Sequence, residues 1–160
     1  MSQFRSGNST LKLWQRLTSL PGGKWTFSRL ICAKAPYFST IRPEIVELRP
    51  GYCEIVLRKR RAVQNHIGTV HAIAMCNMAE LTGGLMTEVT TPTTHRWIPK
   101  GMNVEYLLKA ETDLRATCTV EPLPEFSAAT EFPVTVNVLD KSDKLVFRAV
   151  ITMWVSPKKA

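Results

Sequence analysis

The run NHIGTVHAIAMCNMAELTGG, residues 65–84, places groups capable of chemistry in a stretch that otherwise reads as protein interior. From Val70 to Met86 the spacing predicts a helix, and Val70, Ala74, Met75, Met78, Ala79, Leu81 and Leu85 make it apolar on most sides. Glu80 stands among them, where a buried, unpaired carboxylate would be costly in its charged form. Two explanations are open. Glu80 is structural, satisfied by Asn77 three residues earlier or by a backbone amide, with Gly84 leaving space one turn later. Alternatively the helix holds it for chemistry, as a general base or a nucleophile. His66 and His71 carry the same double reading, either as hydrogen-bonded structural imidazoles or as parts of a site.

The elements around this run define what could position it. Before it, Leu13, Trp14, Leu17 and Leu20 recur at helical spacing opposite Lys12, Arg16 and Ser19, which predicts a short amphipathic helix. The Pro21-Gly22-Gly23 turn leads to a second apolar stretch, Trp25 to Ala35, stopped at Pro36. Residues 52–60 alternate as a strand, with Cys53, Ile55 and Leu57 on one face. After Thr90-Thr91-Pro92 the alternation resumes through Val104, Tyr106 and Leu108, then Leu114 to Val120, then Phe132 to Val138. Asp140-Lys141-Ser142-Asp143 predicts a hairpin turn, and Leu145, Phe147, Ala149, Ile151, Met153 and Val155 form the last apolar face. One long helix followed by an antiparallel meander suits an α+β fold in which the sheet curls around that helix. The expected organisation is one domain over 1–160, with a helical flank at 1–36 and the core at 37–157.

Composition removes several classes of function. With 160 residues, 44% hydrophobic and 21% charged, the chain is of ordinary globular type, and no apolar run is long enough to span a membrane. Cys32, Cys53, Cys76 and Cys118 form no C-x-x-C pair and read as reduced thiols rather than a disulfide frame or metal site. The net charge of +8 is concentrated at the start: seven Lys or Arg and no acid precede Glu44. Such a start suits a transit peptide or a surface for anionic lipid or a fatty chain, and the reading adopted is a packed helical flank on a cytoplasmic protein. No aromatic residues interleave a basic strand, so nucleic acid is not expected. The Arg58-Lys59-Arg60-Arg61 run could meet phosphate, but a solvated strand edge explains it more simply.

The quoted run resembles the signature N-x5-HGG-x6-D of hotdog-fold acyl-CoA thioesterases of the phenylacetate-pathway type. Asn65 matches the Asn, His71 the His and Glu80 the acid, with both spacings kept; Ala72 and Ile73 replace the Gly-Gly pair. With its extra N-terminal helices the whole chain resembles the DUF4442 branch of that superfamily. The resemblance implies a hotdog fold and hydrolysis of a thioester of coenzyme A or of an acyl-carrier protein, with no cofactor besides that substrate. It implies Glu80 and Asn65 as catalytic residues, with His66, Gly68, His71, Ala72, Ile73 and Asn77 around the substrate. The free N–H groups near Ala72 and Ile73 would meet the developing oxyanion, and Ile73 would narrow the space for the carbonyl. A homodimer or a tetramer is expected, since exposed sheet edges can pair and the superfamily shares its sites between subunits. Two alternatives are a 3-hydroxyacyl thioester dehydratase using His66 and Glu80, although the Pro-Gly after that enzyme's His is missing, and a non-catalytic acyl-binding module.

Overall fold

The computed structural model describes residues 7–159. Two helices, α1 (Ser9–Thr18) and α2 (Gly23–Lys34), and a 3-10 turn over Pro36–Thr40 precede strands β1 (Glu44–Arg49) and β2 (Tyr52–Leu57). The long helix α3 (Ala72–Thr90) follows, and then β3 (His95–Tyr106), β4 (Leu114–Thr119), β5 (Thr130–Leu139) and β6 (Leu145–Pro157). All six strands form one antiparallel sheet in the order β1-β2-β4-β5-β6-β3, packed against α3 as the hotdog expectation requires.

The faces of β2, β4, β5 and β6 follow the alternation of the sequence, whereas β3 starts at His95 and turns Trp97, Met102 and Val104 toward the core while Tyr106 and Leu108 are exposed. Cys53, Ile55 and Leu57 of β2 are buried, as are Val134, Val136 and Val138 of β5 and Phe147, Ala149, Ile151, Met153 and Val155 of β6. The Asp140 side chain closes the last hairpin by accepting N–H bonds from Ser142 at 2.7 Å and Lys144 at 3.0 Å. β1 is an addition to the sequence reading. Its pairing register shifts between Ile45 and Glu47, so the buried Ile45 and Leu48 are three residues apart and the period of two is broken. The strand expected over 52–60 stops at Leu57, because Arg58 to Arg61 leave the sheet. β2 is also an interior strand, so edge protection does not explain the basic run. Arg58 instead pairs with Glu44 at 3.2 Å and Asp113 at 3.4 Å, and Arg60 donates to the Thr40 carbonyl at 2.6 Å.

The two N-terminal helices form where expected, with Trp14 and Leu17 against the core as expected but with several other residues exchanged. Leu11, Trp14, Phe27 and Cys32 are buried, whereas Leu13, Leu20, Trp25 and Leu30 face solvent. Trp14 meets Phe27 edge-on at 5.0 Å, and the Ser28 hydroxyl accepts the Ile45 N–H at 2.9 Å, which ties α2 to β1. Gly83, on the sheet side of α3, allows close packing: a Cβ there would stand 3.0 Å from the Ile151 Cδ1. The buried threonines of α3 stay satisfied by donating back one turn, Thr82 to Met78 O at 2.7 Å and Thr87 to Gly83 O at 2.8 Å.

Candidate active site

α3 begins two residues later than the apolar pattern suggests, at Ala72, because His71 is its N-cap. The His71 Nδ1 accepts the Ile73 N–H at 3.1 Å, and this is the capping role that its position before the helix allows. The loop leading to it is organised by Asn65. Its Oδ1 accepts the N–H groups of Ile67 and Thr69, both at 3.1 Å, and its Nδ2 donates to Thr69 Oγ1 at 2.8 Å. The Asn65 carbonyl also takes the N–H of Gly68, whose φ of +80° closes the turn in the left-handed region that favours glycine. Asn65 is thus bonded within its own loop. His66 and Ile67 at the loop tip are exposed, and the Ile73 side chain is 54% exposed rather than folded over the helix end.

Glu80 departs from the expectation of burial. It is exposed, because the sheet covers one side of α3 and Glu80 lies on the other. Asn77 does not reach it. The Asn77 side chain is buried and turned toward the Pro36–Thr40 turn, donating to Thr40 Oγ1 at 3.1 Å, while its Oδ1 has no partner among the described residues. Beside Gly84 the missing Cβ makes room for Trp97, whose Cη2 would lie 3.2 Å from a Cβ there.

On the Glu80 side of α3 lies a cavity of about 350 Å³, bounded by Leu81, Gly84 and Leu85 of α3, by Ile31 of α2 and Phe38, and by Trp97 of β3. Its lining is predominantly apolar, with Glu80, Lys34, Glu88 and Thr10 at its margins. Sequence reasoning overlooked Glu88, the best anchored of these. It accepts from Trp97 Nε1 at 2.8 Å and Thr10 Oγ1 at 3.3 Å, and its carbonyl accepts from Asn8 Nδ2 at 2.7 Å. The spacing of Glu80, Gly84 and Glu88, two consecutive steps of four, is the signal that places all three on one helix face.

The expected site residues therefore fall into two groups within one chain. Asn65, His66, Gly68, His71, Ala72 and Ile73 cluster at the N-terminal end of α3, with Asn77 one turn in. Glu80 stands eight residues beyond Ala72, about 12 Å along the axis, which is too far for one carbonyl to meet both the helix-end N–H groups and this carboxylate. Among the described residues no group of three His, Cys, Asp or Glu side chains is placed to hold a metal ion. All four cysteines are free. Burial pushes the Cys118 thiol up to about 12 and raises that of Cys53 beside it, so both remain protonated.

The sheet order and the single long helix define a hotdog-fold protein, and comparison with known proteins agrees. The model of the family described as "Domain of unknown function (DUF4442)" matches residues 23–155. The chain belongs to this family. A crystal structure from a structural-genomics programme is 48% identical over 93% of this chain and 99% of its own, with a TM-score of 0.81. A probable thioesterase of Pseudomonas aeruginosa is 19% identical over 82% of this chain and 93% of its own, with a TM-score of 0.75. A thioesterase family protein of Silicibacter pomeroyi is 17% identical over 82% of this chain and 96% of its own, with a TM-score of 0.69. No curated protein matches the chain.

Proposed function

We propose that the protein hydrolyses acyl thioesters, of coenzyme A or an acyl-carrier protein, as a homodimer in which Glu80 of one protomer works beside the Asn65 loop and helix end of the other. The observation that carries this reading is an exposed carboxylate at the margin of an apolar cavity of substrate size, on the same helix whose capped N-terminus presents backbone donors. The probable thioesterase of Pseudomonas aeruginosa and the thioesterase family protein of Silicibacter pomeroyi, similar in fold, support the reaction class. The 12 Å between the two groups in one chain favours a shared site. A contact face is present for it: β3 is an edge strand, and Ile98, Tyr106, Leu107 and Leu108 at or beside it are exposed, as is Ile73. Tyr106 Oη lies 3.5 Å from Cys76 Sγ, which places that end of β3 against the first turns of α3.

In this arrangement Glu80 takes a proton from water as the water attacks the thioester carbonyl, or attacks the carbonyl itself through a carboxylate oxygen. The second route gives an acyl–Glu80 anhydride, which a water then hydrolyses to free the acid and restore the carboxylate. The Ile73 N–H is occupied by His71, so the Ala72 N–H is the helix-end donor assigned to the oxyanion, aided by the positive end of the helix dipole. Asn65 holds the loop and has one Nδ2 hydrogen beyond its bond to Thr69 for water or substrate. The thiolate of the carrier leaves and takes up a proton. No described helix is long and apolar enough to cross a membrane. The reduced thiols suit a reaction placed in the cytoplasm.

The test is an assay of wild type and Glu80→Gln against acyl-CoAs of graded length. Loss of turnover in the Gln variant with an unchanged fold is expected. Equal turnover by both, or no hydrolysis of any thioester by wild type, overturns the reading in favour of a binding module; hydration of an enoyl thioester would favour the dehydratase chemistry instead.

A further inference from the structure

We propose that the cavity beneath the N-terminal helices is a closed-ended channel for an unbranched aliphatic acyl chain of medium length, with Glu88 and Trp97 as its end wall; this rests on the thioesterase reading. The cavity follows one face of α3, since Glu80, Leu81, Gly84, Leu85 and Glu88 all border it. Its two ends differ. At the Glu80 end the carboxylate is exposed, and the Pro36–Thr40 turn is fixed to α3 through Asn77 and Thr40. At the Glu88 end the carboxylate is half-buried and fastened to β3 through Trp97 and to α1 through Thr10. A chain entering beside Glu80 would thus run under Phe38 and Ile31 and stop at the Glu88–Trp97 pair.

The dimensions select the ligand. Glu80 to Glu88 is eight residues, or about 12 Å at the rise of an α-helix. An extended alkyl chain advances about 1.3 Å per bond of roughly 1.5 Å, so about nine carbons fill that length. The volume of about 350 Å³ lies at the small end of ligand sites, enough for the acyl group while the nucleotide of coenzyme A stays outside. Two features make the end wall firm. Both oxygens of the Glu88 carboxylate already have donors, so it closes the channel without being left bare against the chain. Gly84 lets Trp97 lie against the helix backbone, where any Cβ would stand 3.2 Å from its Cη2.

The experiment combines hydrolysis and binding in the full-length protein. Rates on the series from acetyl- to palmitoyl-CoA are compared for wild type, Ile31→Trp, which fills the channel from α2, and Trp97→Leu, which weakens the end wall. Calorimetry with a non-hydrolysable decanoyl-CoA thioether, on the same proteins and on Glu80→Gln, reads binding alone, and melting curves confirm folding. The expected result is a wild-type optimum at medium length, a fall of at least tenfold in the medium-to-short rate ratio for Ile31→Trp, and a shift toward longer chains for Trp97→Leu. An unchanged length profile in both folded variants, with Glu80→Gln inactive, overturns the channel and leaves the hydrolase. Thioether binding that Ile31→Trp abolishes, in a wild type that hydrolyses nothing, leaves the channel and overturns the hydrolase. Neither binding nor hydrolysis overturns both.

Discussion

The two ends of the α3 segment that flanks Glu80 are each about 12 Å away from it, yet they are built on different principles. The N-terminal end is assembled from local hydrogen bonds: Asn65, Gly68, Thr69 and His71 all bond within a few residues of one another. The Glu88 end is assembled from distant segments, with Asn8 and Thr10 of the first helical turn 80 and 78 residues away in sequence. The Asn65 bonds close within residues 65–69, and the loop joins the rest of the chain through the Val70 N–H bonded to the Ala110 carbonyl at 2.8 Å. The contacts of the second kind exist only where α1, α3 and β3 meet.

The largest expected effect separates Glu80 from both ends. Glu80→Gln should lower kcat by about a thousandfold, within the range for loss of a general base or nucleophile. Because Glu80 is exposed, there is no burial cost to relieve, and the melting temperature should stay at the wild-type value. A large stability change, measured by calorimetry, would instead assign Glu80 to the fold. Asn65→Ala comes next. It removes three hydrogen bonds of the loop, so turnover should fall by about ten- to a hundredfold, while the cavity end at Glu88 keeps its affinity for the decanoyl thioether. Loss of thioether binding in this variant would show that the two ends are not independent.

Two smaller effects sharpen the contrast. Gly68→Ala forces a side chain into φ of +80° and should cost about 1 kcal/mol by denaturant unfolding, although no neighbour lies within 4 Å to clash with it. Glu88→Gln should cost about 1 kcal/mol, because the acceptors for Trp97 and Thr10 lose their charge, and should make α1 more sensitive to limited proteolysis. Equal proteolytic resistance would mean that α1 is held by the Trp14–Phe27 packing alone.

The smallest effect lies outside the site and depends on pH. The Lys59 N–H bonded to Asp113, together with Lys141 and Arg58, holds this carboxyl below its ordinary value of 3.8 in the folded protein. Since the folded-state value is the lower one, the stabilisation is fully present above pH 3.8 and is lost as pH falls through the folded value. Asp113→Asn should therefore lower the melting temperature slightly at neutral pH and converge with wild type in acid, as read from melting curves across pH.

Much of the architecture was legible in the sequence because its signals are short-range. The period of two in β2, β4, β5 and β6 and the apolar run of α3 are each contained in one segment, and the motif spacing from Asn65 to Glu80 brought the hotdog resemblance with it. β1 was hidden because a register shift breaks its alternation. The inward faces of α1 and α2 were read only in part for a related reason: leucines and tryptophans at helical spacing do not say which stripe meets the core, so Trp14 and Leu17 pack inward as expected, Leu13 and Trp25 are outside, and Leu11 and Phe27 are inside.

By itself, then, the sequence determined the elements other than β1, their order and the presence of a carboxylate with the right spacing from a loop Asn and a capping His, because propensity, periodicity and capping act over a few residues. Tertiary structure alone decided that Glu80 faces outward, that Asn77 turns to Thr40 instead, and that Glu88, Trp97 and Thr10 meet at the margin of a cavity. The physical reason is that burial is a property of what covers a face. The sheet covers one side of α3, and the N-terminal helices leave a gap over the other, which no pattern within the α3 sequence specifies.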